Sequence, residues 1–165
     1  MINQPRLTRF LREHFRLDWY GIHGVRHWAR VRQYARAMAA GTEVSLDTVT
    51  LFALLHDCCR VDDGHDPCHG PLAAALVRDL NGTLYHLCAL EEDRLMAAID
   101  GHSEGRLSAD LTVQICWDAD RLDLGRFGMI VRPEKLGTDV ALAMLANPWP
   151  YRESVKKVMD FKVGR

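Results

Sequence analysis

Apolar positions recur along this chain at three- and four-residue intervals, and no stretch of useful length alternates apolar and polar as a strand would. Leu7, Phe10, Leu11, His14 and Phe15 share one face of a first helix opened by Pro5. Asp18 to Gly21 interrupts the pattern. A second helix is expected from Ile22 to about Ala40, with Val25, Trp28, Val31, Ala35 and Met38 among its apolar positions and Gly41 as its stop. Ser45 is a suitable N-cap for a third, Leu46 to about Cys58, whose run from Val49 to Leu55 is apolar enough for a core helix. A small-residue helix follows from Leu72 to Leu80, then a helical pattern from Thr83 to Ile99 that weakens near Leu90. Ser108 is placed to cap a helix from Ala109 to about Leu124, and Pro133 to open one reaching Ala146. After the Asn147-Pro148-Trp149-Pro150 break, Tyr151 to Phe161 is expected to close the chain as a short helix. The pattern predicts an all-α fold of about seven to eight helices in one domain spanning residues 1–165.

Composition removes some classes of partner. The formal net charge is −1, which gives no overall basis for binding a nucleic-acid polymer or a membrane surface. The first 36 residues are an exception, carrying Arg6, Arg9, Arg12, Arg16, Arg26, Arg30, Arg32 and Arg36. Their helical spacing describes a solvated face first, and only second a field that attracts phosphate. The N-terminus lacks the apolar core of a signal peptide, and no apolar run approaches the ~18 residues of a membrane span. A cytoplasmic protein is expected, monomeric or homodimeric, with Trp149 and Tyr151 packing on the core. The five cysteines include no C-x-x-C pair and read as reduced thiols, with Cys58 and Cys59 in packing roles.

Several polar residues fit poorly with packing alone. His56 and Asp57 end the apolar third helix, where an unsatisfied buried polar group would cost about 2–7 kcal/mol. A polar cap explains an isolated pair of this kind; a metal ion satisfies both residues. His23 and His27 stack one turn apart in the second helix. His69 stands at the mouth of the fourth, and His102 lies in a turn bracketed by Gly101 and Gly105. Asp118, Asp120 and Asp123 crowd the C-terminal half of another helix, the end where the dipole disfavours negative charge. Arg121 and Arg126 can balance them, and a metal would do so better. Such nitrogen-rich ligands favour Fe, Mn, Co, Ni or Zn over Mg.

In order and context these residues resemble the HD superfamily of metal-dependent phosphohydrolases. His27-Trp28-Ala29-Arg30-Val31 is similar to the family's first-histidine helix, and Leu54-Leu55-His56-Asp57-Cys58-Cys59-Arg60 to its His-Asp motif. Ala119-Asp120-Arg121-Leu122 resembles its final motif, which singles out Asp120 rather than Asp118 as a ligand. His69-Gly70-Pro71 and Ile99-Asp100-Gly101-His102 resemble the two further histidine motifs of its six-ligand, two-metal branch. Cys59 departs from a position usually small, and His65 is an alternative to His69 without the following glycine.

The resemblance implies an HD-domain helical bundle with a core at about residues 22–133 and the C-terminal helices of 133–161 packed on it. It implies one or two divalent transition metals held by His27, His56, Asp57, His69, His102 and Asp120, with Asp57 bridging. The implied reaction is hydrolysis of a phosphate ester or anhydride by a metal-activated hydroxide. Its substrate is expected to be a small phosphorylated compound, a nucleotide first. Asp57, Arg60 and Asp123 are the further candidates for roles in turnover. Arg60 would bind phosphate or pair with Asp62 or Asp63, and Asp123 would orient a water or pair with Arg126. His23 is expected to face substrate or solvent. The loop Asp62–Pro67 and the segment Phe127–Pro133 are the expected pocket walls. A di-iron oxygenase of the same fold and a non-catalytic nucleotide- or metal-binding module are the competing functions.

Overall fold

Helix α3 (Leu46–Leu55) lies at the centre of the molecule, with seven of its ten residues buried, among them Leu51, Phe52 and Leu55. A helix apolar on every side is stable only when surrounded. Helices α2 (Val25–Ala39), α5 (Ala89–Gly101) and α6 (Leu111–Leu122) pack against it. Burial of each large aliphatic or aromatic side chain there contributes roughly 1.5–3 kcal/mol. Helix α4 (His69–Leu80) packs on α5, and α7 (Asp139–Ala146) on α6. Helix α1 (Gln4–His14) joins the core through Leu7 and Leu11. Short 3-10 turns occupy His102–Glu104, Asp123–Phe127 and Pro133–Lys135. The computed structural model describes residues 2–147, which contain no strand, only two isolated bridges at Tyr85. The expected helix at Tyr151–Phe161, and Trp149 and Tyr151 with it, lie outside the described residues.

The boundaries move where side chains compete with the helical ladder. Helix α2 begins at Val25 rather than Ile22, because the chain from Asp18 to Gly24 forms turns, with the Val25 amide bonded to the Trp19 carbonyl. A Cβ on Gly24 would stand 2.2 Å from that carbonyl oxygen, so the turn needs glycine. The stretch 81–88 is a loop instead of the first turns of α5. Asn81 closes it, accepting from the Leu87 amide at 2.9 Å and donating to the Leu87 carbonyl at 3.2 Å.

Asp110, not Ser108, caps α6 by accepting from the Val113 amide. Pro133 opens only a 3-10 turn. The last helix starts at Asp139, because the Asp118 carboxylate takes the amides of Gly137 and Thr138 and the Thr138 hydroxyl caps α7. No helix among the described residues is long and apolar enough to cross a membrane.

Candidate metal centre

Four histidines and Asp57 converge on the buried face between α2, α3, α4 and α5. His27 comes from the first turn of α2, and His56 with Asp57 from the end of α3. His69 opens α4, and His102 follows α5. The close approach of these two helices is built around Gly70, where an added Cβ would meet the Asp100 carbonyl oxygen at 2.9 Å. All five site residues are buried, at 4 % exposure or less.

They form two facing imidazole pairs. His27 Nε2 lies 3.0 Å from His56 Nε2, and His69 Nε2 lies 2.9 Å from His102 Nε2. Asp57 stands between the pairs and offers one oxygen to each. Its Oδ2 is 3.5 Å from both His27 and His56 Nε2. Its Oδ1 is 3.4 Å from His69 Nε2 and 3.5 Å from His102 Nε2. Asp120 Oδ1 joins the first pair at 3.4 Å from His27 Nε2 and 3.8 Å from His56 Nε2.

The other ring nitrogens explain why the Nε2 atoms face inward. His27 Nδ1 bonds Asp123 Oδ2 at 2.7 Å, and His56 Nδ1 bonds the Phe52 carbonyl at 3.2 Å. His69 Nδ1 bonds the Asp66 carbonyl, and His102 Nδ1 the Ile99 carbonyl at 2.6 Å. An oxygen acceptor at each Nδ1 places a proton there, which leaves each neutral ring with its Nε2 lone pair turned to the centre. Two lone pairs 3 Å apart repel unless a cation stands with them. Nitrogen donors bound at ~2.0–2.1 Å to one ion lie about 2.8–3.4 Å apart between right-angled and tetrahedral geometry, which both pairs satisfy. The residues therefore fit two metal ions bridged by Asp57.

The electrostatics agree. Burial opposes charge on His27, but the carboxylates of Asp120, Asp123 and Asp57 outweigh it and raise its pKa to about 9. His56 is pushed down to about 3 by burial. His102 is raised, the Asp57 carboxylate prevailing over burial, while burial lowers His69. Asp57 and Asp120 are held below the usual carboxylate range by the surrounding imidazoles, against the effect of burial.

Arg60 Nε donates to Asp57 Oδ1 at 2.8 Å, and its Nη1 reaches the carbonyls of Asp62 and Gly64. Its ion pair is therefore with Asp57, not with Asp62 or Asp63. Asp123 does not face open solvent: it receives His27 and both Nε and Nη2 of Arg30, at 2.5 and 2.9 Å. The expected pairing with Arg126 is present as a longer contact, Nη1 to Oδ2 at 3.6 Å. Arg121 turns away from the acidic cluster and donates to the carbonyls of Lys135 and Arg106. Asp118 belongs to the α6–α7 junction. His65 is exposed and outside both clusters, and His23 is buried rather than solvated, with Nδ1 on Asp63 Oδ1 at 2.8 Å.

A cavity of about 630 Å³ opens beside Asp57 and Asp120. Arg60, Arg126, Arg132 and Lys135 supply cations to its lining; Phe127, Met129, Ile130 and Val131 supply apolar surface. His23, Asp63 and Gly64 also line it, so the loop 62–67 and the segment 127–133 both contribute walls. The interlocked groups Arg30–Asp123 and His23–Asp63 carry no periodic signal and lie 93 and 40 residues apart in the chain.

Residues 24–125 match the model of a family described as the HD domain. No match was found among curated proteins. Among solved structures, the chain is similar to one described as a predicted HD superfamily hydrolase from an uncultured Thermotogales bacterium. The two are 25% identical, with a TM-score of 0.70, over 96% of this chain and 92% of that one.

Proposed function

We infer the function from one premise: this chain belongs to the HD-domain family of metal-dependent phosphohydrolases. We propose that it hydrolyses a phosphate ester or anhydride of a small substrate, a nucleotide in the first instance. One observation carries the reading: Asp57 presents an oxygen to each of two facing imidazole pairs beside a cavity lined with cations.

His27, His56, Asp57 and Asp120 would hold one ion; Asp57, His69 and His102 would hold the second. Ions bound there lower the pKa of water from 15.7 towards roughly 7 and neutralise phosphoryl charge. The protein supplies orientation. Asp123 and three backbone carbonyls fix the four rings, so the Nε2 lone pairs converge without rearrangement. Arg60 restrains Asp57 on the side of the second pair. The cations of the cavity suit a phosphate, and the apolar wall from Phe127 to Val131 suits a planar base or another apolar group.

The test is an assay of protein loaded in turn with Mn, Co, Ni, Zn and Fe against nucleoside mono-, di- and triphosphates, cyclic dinucleotides and dinucleoside polyphosphates. Metal-dependent phosphate release that disappears in Asp57→Asn is the expected result. Oxygen consumption by the iron-loaded protein with no phosphate release under any metal would overturn the hydrolase reading.

A further inference from the structure

Arg126, among the cations that line the cavity, is the one with a buried terminal nitrogen that no hydrogen-bond acceptor meets. Its Nε donates to the Ile22 carbonyl at 3.0 Å, and its guanidinium lies 4.2 Å from the centre of the Phe127 ring. The side chain is only 10% exposed. It is immobilised from two sides, yet Nη1 is buried without a hydrogen-bond partner. The nearest carboxylates stand off, Asp123 Oδ2 at 3.6 Å and Asp120 Oδ1 at 4.0 Å.

Neither carboxylate is available to complete it. Both oxygens of Asp123 already receive Arg30, and Oδ2 also receives His27. Asp57 and Asp120 are committed to the ions in the proposed reading, on which this inference rests. With those charges taken up by metal, the only carboxylate left near the Arg126 guanidinium is Asp123, which it shares with Arg30 and His27 and which stands 3.6 Å away, beyond hydrogen-bond reach. The neighbouring arginines differ. Arg60 has Nε and Nη1 engaged, and both terminal nitrogens of Arg121 donate to carbonyls. A buried guanidinium with open donors, held rigidly beside a metal ligand, is suited to a phosphoryl group, whose oxygens match its planar fork.

We propose that Arg126 is a substrate-binding residue, donating from its terminal nitrogens to a phosphoryl oxygen of the substrate on the Asp120 side of the centre. Phe127 and the Ile22 carbonyl hold it in place for that contact.

The experiment measures inorganic orthophosphate binding to manganese-loaded protein by titration calorimetry, with metal content determined in parallel. Wild type, Arg126→Met and Arg126→Lys are compared. Arg126→Met is expected to keep its metal and to bind orthophosphate roughly tenfold or more weakly, the loss of a charge-assisted contact. Arg126→Lys should fall between them, since an ammonium keeps the charge without the fork. If Arg126→Met misfolds or loses metal, the lysine variant decides, because it preserves the balance against Asp120 and Asp123. Equal phosphate affinity in wild type and in a variant that keeps its metal overturns the inference, as does a metal-loaded wild type that binds no orthophosphate. Phosphate binding that depends on Arg126, in a protein that hydrolyses no phosphate compound, would refute the hydrolase reading and uphold this one.

Discussion

His69 and His102 face each other through Nε2 atoms 2.9 Å apart, while each Nδ1 is bonded to a backbone carbonyl. Neither ring can turn its proton-bearing nitrogen inward without abandoning that carbonyl. The pair must share one proton or one metal ion. Burial lowers His69, while the Asp57 carboxylate raises His102 against burial. His102→Ala removes half of this pair and leaves the His27–His56 pair intact. Elemental analysis of protein purified without chelator should find two metals per chain in the wild type and one in the variant. Two ions in both would place the second ion elsewhere.

The metal-free protein should be most stable near pH 6.5. His27, raised to about 9 against an ordinary 6.5, adds stability that is complete below pH 6.5 and lost as pH climbs through 9. His56, depressed to about 3, lowers stability as pH falls from 6.5 towards 3, because the unfolded chain then binds the extra proton. Each limb is limited to about 1.4 kcal/mol per pH unit. Metal replaces the His27 proton, so binding at pH 7 should release about one proton per chain or more. Denaturant titrations in chelator across this range, and calorimetry in buffers of different ionisation enthalpy, check both statements. Equal metal-free stability at pH 6.5 and 9 would contradict the first.

Asp57→Asn keeps the shape of the bridging side chain and removes its charge. Only one of the two imidazole pairs keeps an oxygen, now uncharged, the bridge is lost, and Arg60 loses its ion-pair partner. Metal-dependent turnover should fall by about 10³-fold or more, with metal content below one ion per chain. A variant retaining both ions and activity would refute the bridging role.

Asp123→Ala leaves every proposed ligand in place but frees the His27 ring and strands Arg30. Metal affinity at the first site should weaken roughly 10–100-fold, as for other groups that orient a ligand. Activity should return at high metal concentration. Loss that no added metal restores would assign Asp123 a direct role in the reaction.

Asp118→Ala should separate structure from chemistry within the same helix. Asp118 is fully buried and accepts from Gln114, the Gly137 and Thr138 amides and the Thr138 hydroxyl. Removing it strands several buried donors, at about 1–3 kcal/mol each before relaxation. Urea unfolding should show a large loss of stability while metal stoichiometry is unchanged. A loss of metal would mean the two aspartates act together.

How much was legible in the chain differs from residue to residue. His56, Asp57, His69 and His102 stand at helix ends or turns where a polar group lacks a packing reason, whereas His27, expected inside the second helix, was singled out from His23 only by the resemblance of its motif. Arg60 was legible as a cation near the His-Asp pair, to bind phosphate or to form an ion pair, but its attachment to Asp57 was not, because Asp62 and Asp63 are as near to it in sequence. Asp123 looked like a partner of Arg126 three residues on; the stronger partner, Arg30, is on another helix. His23 looked equally fit for solvent or cavity, and the turn at Gly24 together with Asp63 decided for a buried place. Helix starts were misplaced at Ser108 and Pro133 for the same reason: the deciding hydrogen bonds come from Asp110 and from Asp118, a helix away from the junction it caps.

The sequence by itself determined the helical class and the core place of the apolar run before His56. Both follow from local quantities, hydrophobic period and capping chemistry. The set of candidate ligand histidines came from the resemblance of their motifs to the HD family. Only the tertiary structure decided which nitrogen of each ring faces the centre, that Asp57 offers one oxygen to each pair, and that Arg126 is left with open donors. Those depend on carbonyls, carboxylates and guanidinium groups brought together from distant segments, and no local pattern encodes their mutual distances.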